Sequence, residues 1–166
     1  MPAKGLIAGL VASWVKALTE LRLQALAEAI LPPSSSQQHD VGADPSGHPE
    51  NMPPAVLVNR ASVALGRWLT VPQRLRAQHV IHYAMGAGLG VAYSIAARRW
   101  PRARLGRGSL AGLAIYAATH GSVLPALGIQ RPPWRLAPAA VAWESTSHLV
   151  FGAALEAADS ALGGRR

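Results

Sequence analysis

Two stretches of this 166-residue chain contain no Lys, Arg, Asp or Glu: 77–97, "AQHVIHYAMGAGLGVAYSIAA", and 108–129, "GSLAGLAIYAATHGSVLPALGI". A helix lying on a water-soluble core needs a polar face, and neither stretch supplies one. Each has the ~20 mainly apolar residues that take a helix across a bilayer. Two further runs are similar. Residues 136–155 are interrupted only by Glu144, and residues 5–15, "GLIAGLVASWV", reach spanning length if their helix continues through Lys16, Glu20 and Arg22 toward Leu31. The pattern predicts an all-α polytopic membrane protein. It is a single domain over 1–166, a four-helix transmembrane bundle with spans near 5–31, 77–97, 107–128 and 137–158. A soluble all-helical bundle is the alternative, against which the missing polar faces argue.

Charge supports this reading and orients it. Only 14% of residues are charged, against ~25% in an ordinary soluble domain. Sixteen basic residues face eight acidic ones. The excess is concentrated in "RRWPRARLGR", 98–107, which joins the second and third spans and holds no acid. Short links this basic stay in the cytoplasm. That orientation places the N-terminus with Lys4 and the closing "GGRR" (163–166) in the cytoplasm too, in a multi-pass protein of a bacterial inner membrane. The basic excess is then a topology signal. No aromatic–basic interleaving or binding motif makes nucleic acid a partner; the expected partners are the lipid bilayer and another membrane protein or a second copy. With no cysteine, thiolate ligands and Cys nucleophiles are excluded. Lys16, Glu20 and Arg22 lie between the first apolar run and the "AEA" at 27–29, which does not fit a cleaved signal.

Between the first and second spans, "PPSSSQQHDVGADPSGHPENMPP" (32–54) is rich in Pro, Ser and Gly and reads as a flexible external linker, with His39 and His48 solvated. In 55–71, Val56, Val63, Leu65, Trp68 and Leu69 suggest an apolar stripe with Arg60 and Arg67 off it. It reads as a short interfacial helix or a short buried helix or strand. Gly5/Gly9, Gly86/Gly90 and Gly108/Gly112 each form G-x-x-x-G, which lets helices approach closely in lipid; packing within the chain is preferred over dimerisation. "GAGLG" is no dinucleotide fingerprint, because no strand precedes it.

The chemistry sits inside the apolar segments. Ionisable groups at membrane depth are costly and face the bundle interior. His82 lies sixteen residues before Arg98, His120 thirteen after Arg107, Glu144 and His148 fifteen and eleven before Asp159, and Glu20 sixteen after Lys4. At 1.5 Å per residue these all fall about 16–24 Å from the cytoplasmic edge, in one layer of the outer half. Glu144 and His148, like Lys16 and Glu20, are four apart and share a helix face.

The order of these features carries a resemblance. His82, then Pro101, "GSLAGLA", His120, "PPW" (132–134) and Glu144 with His148 as E-x-x-x-H-L resemble the YagU-like family of bacterial inner-membrane proteins over residues 79–159. "GLIAGLVASWVKALTE" near the N-terminus is similar as well. Residues 32–76 have no counterpart. The resemblance implies an integral-membrane protein without an assigned reaction, and a loose association with acid stress.

Three uses of the layer follow. His82, His120, Glu144, His148 and Glu20 form an N/O ligand set suited to a divalent metal such as Zn, Fe or Mn. The same residues would serve a proton-responsive sensor or relay. As cross-helix hydrogen-bonding groups they would fix the helix register of a small structural or accessory subunit, the leading reading. Ser145 and Ser122 are available for Ser-His-Glu hydrolysis, but no nucleophile elbow accompanies them.

Overall fold

The structure, a computed structural model, describes residues 2–163. The cytoplasmic placement expected of "GGRR" falls, for 164–166, outside them. Seven helices follow in order: α1 (Pro2–Ile30), α2 (Ser35–Gln38), α3 (Pro53–Ala64), α4 (Val71–Arg99), α5 (Ser109–Ala118), α6 (Leu124–Ala126) and α7 (Pro138–Gly163). Among the described residues there is no strand. A π turn, Thr119–Val123, joins α5 to α6, and 3-10 turns occupy Pro49–Asn51, Pro133–Arg135 and the start of Pro101–Gly108.

The buried faces follow from small residues at helical spacing. On α1 the buried positions are Gly5, Ala8, Gly9, Ala12, Ser13, Lys16, Gln24 and Ala27; on α7 they include Ala140, Glu144, Ser147, His148, Phe151, Gly152, Leu155 and Asp159. Steps of three and four put each set on one stripe. The two stripes face each other, α4 packs on α1, and α5 packs on α7.

Glycine sets the closeness of both outer contacts. A Cβ at Gly9 would stand 2.1 Å from the Gly86 carbonyl oxygen, and one at Gly90 would stand 2.1 Å from that of Gly5. The first two G-x-x-x-G pairs therefore mesh with one another between α1 and α4. Gly108 and Gly112 mesh instead with α7, where a Cβ at Gly112 would lie 1.9 Å from the His148 carbonyl oxygen. Their partner, Gly152, belongs to no G-x-x-x-G pair.

The all-α expectation holds, the four-span expectation is met only in part, and two others need correction. Only α4 among the described helices is long and apolar enough, by length and composition, to cross a membrane. The third apolar run is split by its π turn, while α1 and α7 carry charged groups along their lengths. Residues 32–54 hold α2 and the Pro49–Asn51 turn and are tied to the long helices by specific contacts. Ser34 and Gln37 form a capping box for α2, Ala43 is buried and its carbonyl accepts the Trp143 indole N–H at 3.4 Å. Gln24 donates to Asp44 Oδ1 at 2.8 Å. Burial opposes the Asp44 carboxylate, but the Gly47 N–H, the Gln24 amide and Ser46 hold its carboxyl below the usual range. In the 55–71 segment, α3 buries Pro53, Ala55 and Val58 rather than the stripe read from the sequence, and Val63, Leu65 and Trp68 point outward. Ala55 and Val58 sit three apart on one face of α3, and α3 packs on α4.

Candidate functional site

Charged and imidazole groups from three helices meet where α1, α5 and α7 approach. Lys16 and Glu20, one turn apart on α1, form an ion pair. Lys16 Nζ also lies 3.3 Å from Glu144 Oε1 on α7. The same oxygen lies 3.3 Å from His120 Nε2 and 3.3 Å from His148 Nδ1. Glu144, His148 and Lys16 are all less than a tenth exposed.

Local structure explains how each ring is aimed. His120 sits in the π turn. Pro125 has no N–H to donate back along the helix, and the wider turn shifts the register ahead of it, with Ser122 donating to the Ala117 carbonyl at 2.9 Å. The His120 ring stacks on Tyr116, centroids 5.5 Å apart, and stands edge-on to His148 at 5.1 Å. Its Nδ1 lies 2.9 Å from Gln130 Oε1. His148 Nδ1 lies 2.9 Å from the Glu144 carbonyl oxygen, one turn back. A carbonyl only accepts, so that nitrogen carries the proton and the His148 Nε2 lone pair is left for another partner.

Of the residues singled out in the sequence, His120, Glu144 and His148 come together: one donor atom from each lies within 4.8 Å of the others. Glu20 stands one step back as the partner of Lys16. His82 lies outside this trio but lines the same cavity, and its Nε2 is buried without a hydrogen-bond partner. The cavity has a volume of about 340 Å³ and runs between α4 and the α5–α7 side. Its walls include Met85, Leu89, Ile115 and Phe151, with Lys16, Glu20 and Glu144 among its polar lining. His79 bonds the Leu75 carbonyl of its own helix, and His39 and His48 pair with each other in the 32–54 segment, ring centroids 4.5 Å apart. Ser122 and Ser145 both donate to carbonyls of their own chain segment; among the described residues neither is hydrogen-bonded to a histidine, which leaves the hydrolase reading without an activated nucleophile.

A second polar site lies toward the opposite end of the bundle and was not singled out in the sequence. Arg104, in the basic link, donates to both Glu156 oxygens at 2.5 and 2.7 Å and to Asp159 Oδ2 at 3.3 Å. Tyr93 donates to Glu156 at 2.5 Å, and Ser94 donates to Asp159. Glu156 and Asp159 are three apart and so share a face of α7. That spacing was the available signal, but Asp159 reads equally well as a span edge.

These features define an all-helical protein with a buried cluster of ammonium, carboxylate and imidazole groups beside a cavity. Residues 23–157 match the family described as protein of unknown function (DUF1440), and the chain belongs to that family. No curated protein and no solved structure matches it.

Proposed function

We propose that this chain is a multi-pass membrane protein of the YagU-like kind. Four helical segments cross a bacterial inner membrane, and the buried Glu/His layer ties them into one register in a small structural or accessory subunit. One observation carries the reading: polarity is inverted relative to a soluble bundle. Trp14, Leu18 and Leu21 on α1, Val80 and Ile95 on α4, and Leu110 and Val123 on the α5 side are each more than half exposed, while Lys16, Glu144, His148 and Asp159 are 5–8% exposed. In water that arrangement would leave a continuous apolar surface exposed; in lipid it satisfies both sets of residues. Exposed Trp100 at the basic end and exposed Trp68 and Trp134 at the other fit the interfacial positions that Trp favours. An acid-stress role would act through the Glu/His layer.

The absence of cysteine makes the test direct. After alkaline carbonate washing the protein should remain with the membrane. In intact cells an impermeant thiol reagent should label Ser36→Cys and should reach Arg102→Cys only after permeabilisation. Release by carbonate would end the membrane reading. The opposite labelling pattern would reverse the orientation.

A further inference from the structure

The structure assigns a divalent transition-metal site to His120, Glu144 and His148, with Lys16 as the internal cation that competes for Glu144; this goes beyond the bundle reading and does not depend on it. Both histidines have the outer partners typical of metal-bound imidazole. A ligating histidine characteristically donates its other ring N–H to a carbonyl or carboxylate, which fixes its tautomer. With the Gln130 amide turned so that Oε1 faces the ring, His120 Nδ1 donates to it at 2.9 Å, and His148 Nδ1 donates to the Glu144 backbone carbonyl at 2.9 Å. Each Nε2 then keeps its lone pair; that of His120 lies 3.3 Å from Glu144 Oε1, whereas His148 turns Nδ1 toward the same oxygen at 3.3 Å, so its ring would flip to offer Nε2 to an ion.

The His120 geometry accommodates a cation. Its Nε2 lone pair faces Glu144 Oε1 at 3.3 Å, two acceptors turned toward each other in a buried site. A cation between them satisfies both; in the other tautomer, with Nδ1 accepting from the Gln130 amide, Nε2–H donates to Glu144 instead. The separation equals the ~3.3 Å between two donors on one tetrahedral ion with bonds of about 2.0 Å. Two imidazoles and one carboxylate also make the three-ligand set that leaves a position open on zinc; here that position would face the cavity that Glu144 and His148 line. Lys16 bridges Glu144 and Glu20. A metal on Glu144 therefore leaves the ammonium paired with Glu20 rather than stranded.

The probe is Co²⁺, which reports its coordination by absorption, followed by displacement with Zn²⁺. The detergent-purified full chain should bind one Co²⁺ per chain with tetrahedral d–d bands that Zn²⁺ abolishes. His120→Ala, His148→Ala and Glu144→Gln should each lower affinity by at least about 100-fold, and Gln130→Leu, which removes an outer partner, by about 10–100-fold. Lys16→Met should raise affinity about tenfold by removing the competing ammonium, an outcome that loss of a purely structural ion pair would not give. His79→Ala should change nothing. Circular dichroism of each variant separates loss of ligand from loss of fold. Absence of stoichiometric Co²⁺ in the parent protein overturns the assignment and leaves a proton as the cation between His120 and Glu144. Binding that follows a His39→Ala/His48→Ala double variant instead overturns it in favour of that pair. Neither result touches the membrane reading, which carbonate washing and labelling decide separately.

Discussion

Replacing Gly112 with Ala tests how the site is held. The added Cβ would sit 1.9 Å from the His148 carbonyl oxygen, 2.9 Å from the His148 carbonyl carbon and 3.0 Å from the Gly152 nitrogen. All three are backbone atoms, so no rotamer change relieves the clash. A normal carbon–oxygen contact is about 3.3 Å, and reaching it parts α5 from α7 by about 1.4 Å. A gap of even 0.5–1 Å forfeits a quarter to a half of the dispersion energy across a contact. Overpacking that falls on backbone belongs at the upper end of its usual ~1–3 kcal/mol, so about 3 kcal/mol is expected here. For a chain of this size that lowers Tm by roughly 10 °C. The same displacement carries His120, eight residues further along, away from Glu144 and breaks the 3.3 Å contact. Thermal unfolding in mild detergent, followed by circular dichroism, reads the loss. Gly88→Ala, where the added carbon meets nothing within 4 Å, is the control and should leave Tm unchanged. A Gly112→Ala protein melting within about 2 °C of the parent, less than 1 kcal/mol on this scale, would refute the argument that glycine contact positions α5.

Arg104→Leu removes the cation shared by Glu156 and Asp159 and should cost about 2 kcal/mol, as the loss of charge-assisted hydrogen bonds does, whereas Arg102→Leu, at an exposed position, should stay within about 0.5 kcal/mol in the same melting assay. Arg60 donates to the Leu127 and Gly128 carbonyls at 2.8 and 2.7 Å; Arg60→Ala should loosen the end of α6 by about 1 kcal/mol, read as faster amide exchange at 127–129. Asp44 is held below the usual carboxylate range, so its contribution to the 44–47 turn is complete above its unfolded value of about 3.9 and is lost as pH falls through the lower folded value. Amide exchange at 46–47 should therefore lose protection in acid, and Asp44→Asn should abolish that pH dependence; unchanged protection across that range in the parent would refute it.

The sequence by itself determined the helical class and the approximate extent of α1, α4 and α7, because apolar runs of about 20 residues exceed the usual length of a strand. It also brought Glu144 and His148 onto one face, and Lys16 and Glu20 onto another, because the helical period alone does that. Depth counting placed His120 level with Glu144, and they lie side by side; it placed His82 level as well, yet His82 lines the cavity outside the trio. Depth fixes height along a helix and says nothing of rotation about it. Rotation is set by packing: Gly9 against Gly86 turns α4, and Gly112 against His148 turns α5. Other decisions needed the tertiary structure for the same reason. Gln130 and Tyr116 reach His120, Arg104 reaches Glu156 across more than fifty residues of chain, and Asp44 anchors a polar segment that composition reads as linker. Each of these contacts joins residues far apart in sequence, and no local pattern records which of the available partners the folded helices bring within reach.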